Sequence, residues 1–410
     1  MKPRDRQLVA LDLGSSTVTA LIAEAGENGR LILRGTGFAE SKGFRKDTLV
    51  HLDAAVGAIR QAVEAAERVA GVPVESAVVG VAGAHIRSLN SRGGVSLGAR
   101  PREVVPEDIR RAIEAARAVS LPPEQEVLHV LPQEFLLDQQ NGIRDPLGLL
   151  GCRLEVNVHI VTGAATATQN LIAAVNRAGI LVQDTVLESL VAAEACLTPD
   201  ERELGVVLVD VGGGSTDWIL LQQGAPRESG MVAIGGEHFT NDIAIGLRTP
   251  LWEAERIKRA YGCASLRGLG QDTLLEMAGM GERPARVTSR RALAEIIEPR
   301  ALEWLAMLRE ALERSGDGRL AAAGVVLTGG AAQLEGLVEL TAQALQLPVR
   351  LGLPTGLTDA NGTLANPACA VVVGLALHAN RLRQARWQQN AGFVHRLRNL
   401  FQSRSWAAGA

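Results

Sequence analysis

The same strand-and-turn occurs twice in this chain, about 200 residues apart: Leu11-Asp12-Leu13-Gly14-Ser15-Ser16 and Val209-Asp210-Val211-Gly212-Gly213-Gly214-Ser215-Thr216-Asp217. Each copy is an apolar run that ends on an aspartate and then breaks into small residues. Glycine there admits positive φ and close approach. Ser and Thr hydroxyls add donors beside exposed backbone N–H groups, so each turn has the chemistry of a phosphate cradle. Taken singly, either copy reads as an ordinary strand turn of an α/β protein. Together they predict two similar halves facing one nucleotide, with both aspartates placed to hold a hydrated divalent cation. A third element, Val325-Val326-Leu327-Thr328-Gly329-Gly330-Ala331-Ala332, is a buried strand running into a glycine pair that can pass beneath a nucleoside.

A chain of 410 residues exceeds what one core fills and predicts two principal domains. Hydrophobic residues make up 47% but aromatics only 3%, so the cores must be built from Ala, Val, Leu and Ile. Cys152, Cys196, Cys263 and Cys369 are too widely spaced for a zinc site or a disulfide framework, which suits a reducing cytoplasm. The polar opening, residues 1–9, has no apolar signal region, and no run of about 18 apolar residues occurs. Neither a cleaved signal nor a membrane-spanning helix is expected. The net charge of −3 argues against general nucleic-acid binding, but it is unevenly spread. No acid follows Asp359, whereas Arg381, Arg383, Arg386, Arg396, Arg398 and Arg404 lie near the end and leave about −9 for the rest.

Period-2 runs predict a meander of strands over 8–13, 18–24 and 31–38, then a helix over 52–70 and a strand over 77–81. From 84 to about 160 the texture changes to a small α+β piece: strands over 85–95, 125–137 and 153–161, and a helix over 106–119. The main pattern resumes at Gly163 with a helix to 178, a strand over 180–187 and an Ala-rich helix to 197. The second half repeats the plan, with strands over 205–211, 217–222 and 226–234. A helical stretch over 237–315 follows, then strands over 323–327 and 349–351, and a closing helix over 367–382.

These residues resemble the actin-like ATPases, with Asp12 to Ser16 as first phosphate segment, Asp210 to Asp217 as second and Thr328-Gly329-Gly330 as adenosine segment. Connecting helices at Glu188 to Leu197 and Ala368 to Leu377 fit as well. Within that group the chain resembles the FtsA family. Three features carry this: the inserted piece with Gly83-Ala84-His85-Ile86-Arg87-Ser88-Leu89-Asn90-Ser91, the segment Leu293-Ala294-Glu295-Ile296-Ile297-Glu298-Pro299-Arg300, and a basic amphipathic end.

The resemblance implies an actin-like ATPase fold, with two ribonuclease-H-like domains around a nucleotide cleft. The first core domain would comprise 1–84, 163–203 and 360–385, interrupted by an FtsA-type inserted subdomain over 85–162. The second would comprise 204–235 and 316–359, with a peripheral helical subdomain over 236–315. A linker and amphipathic helix over 386–410 would complete the chain. ATP and Mg²⁺ are the implied cofactors, with Asp12 and Asp210 approaching the cation through water. Gly14, Ser15, Ser16, Gly212, Gly213, Gly214 and Thr216 would surround the phosphates, and Gly329 and Gly330 would underlie the nucleoside.

Catalysis, at most a weak ATPase, would fall to Asp210 and to Glu188, which occupies the water-polarising position of relatives. As a bare helix-initiating acid, Glu188 has an equally good reading as a helix-dipole partner. Glu255 and Lys258, three apart on a helix over 251–261, match a pair that grips adenine and ribose in chaperone-like relatives, with Gly235 and Gly236 on the same wall. Without the resemblance they read as a surface ion pair. Relatives often carry a basic residue after the first phosphate segment where this chain has Thr17, so nucleotide is expected to serve assembly more than turnover.

The implied partners are the acidic, apolar C-terminal tail of FtsZ, met by Arg300 in the peripheral subdomain; other division proteins, met by the insertion; and further copies of the chain in filaments. A sugar-kinase reading lacks a substrate cluster in the first half. A PilM-like scaffold has less need of a basic terminus of its own. That terminus places Phe393, Val394, Leu397, Leu400 and Phe401 within about 120° of a helix, with Arg396 and Arg398 beside them. This is the composition of a helix lying in an anionic membrane surface; joined to the FtsA resemblance, it implies a peripheral protein on the cytoplasmic face at the division site.

Overall fold

Five strands from each half of the chain pair in the same order in a computed structural model, which describes residues 6–26, 30–270, 272–281, 284–314 and 321–389. The first half runs β1 (Gln7–Leu13), β2 (Thr17–Ala25), β3 (Leu31–Glu40), a two-residue hairpin β4 (Phe44–Arg45) and β5 (Thr48–Leu49), α1 (Leu52–Ala70) and β6 (Ser76–Val81). The insertion supplies β7 (Arg87–Ser96), β8 (Arg102–Glu103), α2 (Pro106–Arg117), β9 (Gln125–Leu137), β10 (Gln140–Ile143), β11 (Leu150–Gly151) and β12 (Arg153–Ala164). The chain returns through α3 (Ala165–Arg177), β13 (Leu181–Leu187), α4 (Glu188–Cys196) and α5 (Pro199–Leu204).

The second half contains β14 (Val206–Val211), β15 (Thr216–Gln222), β16 (Ala225–Val232), α6 (Gly236–Leu247), α7 (Leu251–Tyr261), β17 (Leu274–Met277), β18 (Arg286–Ser289) and α8 (Arg290–Arg314). It ends with β19 (Val325–Thr328), α9 (Leu337–Leu345), β20 (Val349–Leu351), β21 (Leu357–Thr358) and α10 (Ala370–Gln389).

The first sheet is ordered β13-β6-β1-β2-β3-β21 and the second β20-β19-β14-β15-β16. In both, an antiparallel meander is extended by parallel strands on the far side of its first member. The sequence repeat is therefore a repeat of topology, and it puts Asp12 and Asp210 at equivalent strand ends.

Helices α4 and α10 lie between the two sheets, and their Ala, Val and Leu side chains share one core with Leu8, Leu21, Leu208, Ile219 and Val326. The scarcity of aromatics has its use here, because small side chains let two helices and two sheets approach closely. The contact is tightest at Gly374, where an added Cβ would lie 2.0 Å from the Val191 carbonyl oxygen. Gly374→Ala should cost about 1–3 kcal/mol by overpacking; a denaturant midpoint equal to that of the parent chain would contradict this packing account.

The outer face of the first sheet is covered by α1 and α3, and that of the second by α6, α7, α8 and α9. The insertion has its own core on Phe135, Leu154, Val156 and Ile160 beneath α2.

Several boundaries differ from the sequence expectation. Strand β12 continues through Gly163 and Ala164, which pair with Glu126 and Gln125, so the main-domain helix begins at Ala165. The peripheral piece is not purely helical, because its middle folds into the β17–β18 hairpin. A short 3-10 turn over Gly330–Gln333 separates β19 from α9, which begins at Leu337. Strand β21 pairs in parallel with β3, which gives residues 357–358 to the first sheet rather than the second domain. Helix α10 runs to Gln389, so the expected linker at 386 is still helical. The expected amphipathic segment over 393–401 lies outside the described residues.

Candidate functional site

The two Asp-bearing turns meet face to face. An added Cβ on Gly213 would lie 2.0 Å from Ser16 Oγ, and one on Gly214 2.5 Å from Ser15 Oγ. These glycines are thus required by the opposite turn, over and above any local conformational need. Helix α6 begins immediately behind, where the N–H groups of Gly236 and Glu237 donate to the carbonyls of Gly212 and Gly213 at 2.9 and 2.8 Å. Gly235 is pressed onto the same turn, its notional Cβ 2.5 Å from Gly213 O. Ser16 Oγ donates to Glu237 Oε1 at 3.0 Å, a bond from one half of the chain to the other.

Asp12 and Asp210 are buried at the floor of this junction. Burial raises Asp12 to about 8, helped by the neighbouring charges of Asp210 and Asp47, while the Gly14 N–H opposes it. Asp210 is raised to about 7 by burial and by Asp47. Asp217 and Glu188 are held well above the usual carboxylate range, again first by burial and then by the acids around them. Glu188 opens α4 beside Gly80, whose missing side chain makes room: a Cβ there would be 2.7 Å from Glu188 Oε1. Among the described residues no basic side chain offsets this crowd of acids. A divalent cation at Asp12 and Asp210 supplies one, so the donor set suits a hard, hydrated ion. Among the described residues no three His, Cys, Asp or Glu side chains enclose a metal site, so waters and phosphates would have to complete the coordination.

Gly329, with φ of 88°, passes directly over Asp210, since a Cβ there would lie 2.2 Å from Asp210 Oδ1. Gly330 follows against Ala368, with 3.7 Å from its notional Cβ to the Ala368 Cβ. On the other wall, Lys258 Nζ meets Glu255 Oε2 at 2.6 Å and donates to Gly236 O at 2.9 Å and Thr240 Oγ1 at 2.8 Å. Burial pushes the Glu255 carboxyl up, but Lys258, Thr240 and Arg259 together outweigh it and bring it down to about 2. The pair is therefore a charged strut beside the start of α6.

Two expected site residues are placed differently. Thr216 is fully buried; its hydroxyl donates to Ile234 O at 2.7 Å and accepts from Trp304 Nε1 at 3.0 Å. It supports the second turn from behind, its hydroxyl turned inward to Ile234 and Trp304. Arg300 grips Asp242 with two bonds, at 2.6 and 3.0 Å, and Glu303 with a third at 2.5 Å. Its guanidinium is held within the subdomain by α6 and its own helix.

The sequence reading also missed residues. Asp47, at the tip of the β4–β5 hairpin, accepts from Ser15 Oγ at 2.6 Å and from Ser215 Oγ, and so touches both turns. Its only sequence signal is a Lys-Asp pair between two short runs. His129 of the insertion accepts the Leu187 N–H at 3.0 Å, one residue before Glu188, and burial pushes it down to about 4. Nothing in its local sequence points there, since the contact spans 58 residues.

A family profile for cell division protein FtsA matches residues 207–374, and one for the SHS2 domain inserted in FTSA matches residues 83–162. The cell division protein FtsA of Pseudomonas aeruginosa is 44% identical over 373 residues, covering 91% of this chain and 89% of the relative. That of Neisseria meningitidis serogroup B is 40% identical, covering 92% and 91%, and that of Escherichia coli K12 is 36% identical with the same coverage. Among solved structures, a chain of a PilM–PilN type IV pilus biogenesis complex superposes with a TM-score of 0.66 at 18% identity, covering 91% of this chain and 98% of that one. MreB5 of Spiroplasma citri bound to ADP superposes at 0.56 and 14% identity, covering 94% and 99%. These structures share the actin-like fold that the duplicated sheets display, while the inserted domain and the 36–44% identity over nine-tenths of the chain are narrower signs. The chain belongs to the FtsA family of actin-like cell-division proteins.

Proposed function

We propose that this cell-division protein binds ATP with Mg²⁺ between its two aspartate-bearing turns and, on the cytoplasmic face of the membrane, holds FtsZ polymers at the division site. The observation that carries the nucleotide half is the meeting of Ser15 and Ser16 with Gly213 and Gly214 above two uncompensated buried aspartates. Ser15, Ser16 and the backbone of Gly14 and Gly212 to Gly214 would take the phosphates. Gly329 and Gly330 would lie under the nucleoside, with Lys258 and Glu255 at its edge. A cation, when bound, supplies charge neutralisation for the phosphates; Asp12 and Asp210 hold it through water. Glu188 stands where a carboxylate can orient an attacking water, but positioning and charge dominate phosphoryl transfer. Nucleotide binding then serves mainly to close the two halves on each other and favour assembly with other copies.

The seat offered for the FtsZ tail is not Arg300, which is committed to Asp242 and Glu303. An open groove of about 610 Å³ in the same subdomain, lined by Ala244, Ile245, Pro250, Leu251 and Met280 with Arg248 at its side, suits an apolar and acidic peptide better. Other division proteins would meet the insertion.

Membrane attachment is assigned to Phe393, Val394, Leu397, Leu400 and Phe401, with Arg396 and Arg398 toward lipid headgroups. No helix among the described residues is long and apolar enough to cross a bilayer. Removing residues 391–410 should abolish co-sedimentation with anionic vesicles, and with it recruitment of FtsZ to them, while leaving ATP affinity unchanged. Equal vesicle binding by the shortened chain would contradict the anchor.

A further inference from the structure

We infer that Asp47 sets the nucleotide affinity of the cleft by holding, with its own carboxylate, the position that the terminal phosphate must take. This rests on the nucleotide reading above and goes beyond it. Asp47 Oδ1 accepts from Ser15 Oγ at 2.6 Å, Oδ2 accepts from Ser215 Oγ, and the Asp47 N–H donates to Ser15 Oγ at 2.8 Å. One carboxylate thus clasps the hydroxyls of both phosphate turns, one from each half of the chain. Carboxylate and phosphate oxygens are interchangeable to such donors, and hydrogen bonds to either anion are strong ones. A phosphate seated between Ser15 and Ser215 therefore competes with Asp47 for the same protons.

Charge reinforces the competition. Asp12, Asp210, Asp217 and Glu188 already crowd this floor, and the Asp47 charge acts on each of them. Asp47 and a polyphosphate cannot share the position. The four floor acids are built into β1, β14, β15 and the start of α4, whereas Asp47 rides on a hairpin whose two strands of two residues pair only with each other. Lys46 and Asp47 have φ of 49° and 56°, consecutive left-handed residues where hairpins of this kind prefer glycine or asparagine. The hairpin is thus held by the packing of Phe44 and Leu49 rather than by a sheet, and its tip is the part that can yield.

A protein whose binding-competent state is only partly populated binds with an affinity reduced by that fraction. Removing the clasp should restore it. Asp47→Asn removes the charge, and Asp47→Gly removes the side chain while suiting the left-handed φ. Titrating fluorescent ATP, ADP and AMP analogues with Mg²⁺ into the full chain, we expect both variants to bind ATP about tenfold or more tighter than the parent. ADP should gain less and AMP nothing, because AMP has no phosphate that reaches the clasp.

Unchanged or weaker ATP binding by Asp47→Gly, in a parent that does bind ATP, overturns the inference alone. An equal gain for all three nucleotides also overturns it, since that marks general loosening. No binding of any nucleotide to the parent removes the nucleotide reading and this inference with it. Hydrogen exchange on the unaltered protein gives a second test: ATP should speed exchange of the Asp47 amide, and slower or unchanged exchange across 44–49 contradicts displacement.

Discussion

Asp210→Asn should make the nucleotide-free protein more stable and its cleft far weaker toward ATP with Mg²⁺. Asp210 is raised from 3.8 to about 7 by burial and by Asp47, so the folded chain holds a proton there that the unfolded chain has already lost. Stability from such a group is complete below the unfolded value near 4 and is lost as pH rises through about 7. The substitution should therefore change little at pH 4 and stabilise by on the order of 1–4 kcal/mol at pH 8, because a tenfold difference in proton affinity between the folded and unfolded chain is worth about 1.4 kcal/mol.

The same change removes one of two carboxylates offered to the cation and should weaken Mg²⁺-dependent ATP binding by about tenfold to a hundredfold. Thermal melts from pH 4 to pH 8, paired with ATP titrations in Mg²⁺ and in chelator, read both effects. Destabilisation at pH 8 with intact ATP binding would contradict the account of the floor.

Trp304→Ala should be among the most destabilising single changes in the second half, at about 3–5 kcal/mol. Trp304 is fully buried on α8, and its Nε1 donates to Thr216 Oγ1, which donates in turn to Ile234 O. The indole fills the core and props the strand that begins at the second turn. Trp304→Phe keeps most of the ring and loses the hydrogen bond, so it should cost clearly less. Equal losses for the two variants in urea denaturation would mean that the hydrogen bond, not the packing, dominates.

The sequence made the sheets legible because period-2 apolar runs end at unmistakable turns, and α1 was readable to the residue between His51 and Gly71, its caps. The β17–β18 hairpin has strands of only four residues, too short for the alternation of β17 to stand out in a stretch read as helical. Strand β21 has two residues and no pattern of its own; only its pairing with β3 defines it. In the site, Asp12, Gly213, Gly214 and Gly329 could be found because a duplicated motif and a strand-end glycine pair mark them. Thr216 belongs to the same motif but sits where the strand pleat has already turned its hydroxyl inward to Trp304. Asp47 and His129 reach the cleft from 32 and 58 residues away in sequence, and only the fold brings them there. Arg300 was expected to meet an acidic tail, yet its partner Asp242 lies 58 residues earlier.

Crystals of the full chain grown with Mg²⁺ and a non-hydrolysable ATP analogue test the nucleotide cleft most directly. They should show the phosphates between Ser15–Ser16 and Gly212–Ser215, the cation near Asp12 and Asp210, and the Asp47 carboxylate withdrawn from Ser215. Phosphates bound away from both turns, or a cleft that stays empty at saturating nucleotide, would contradict it.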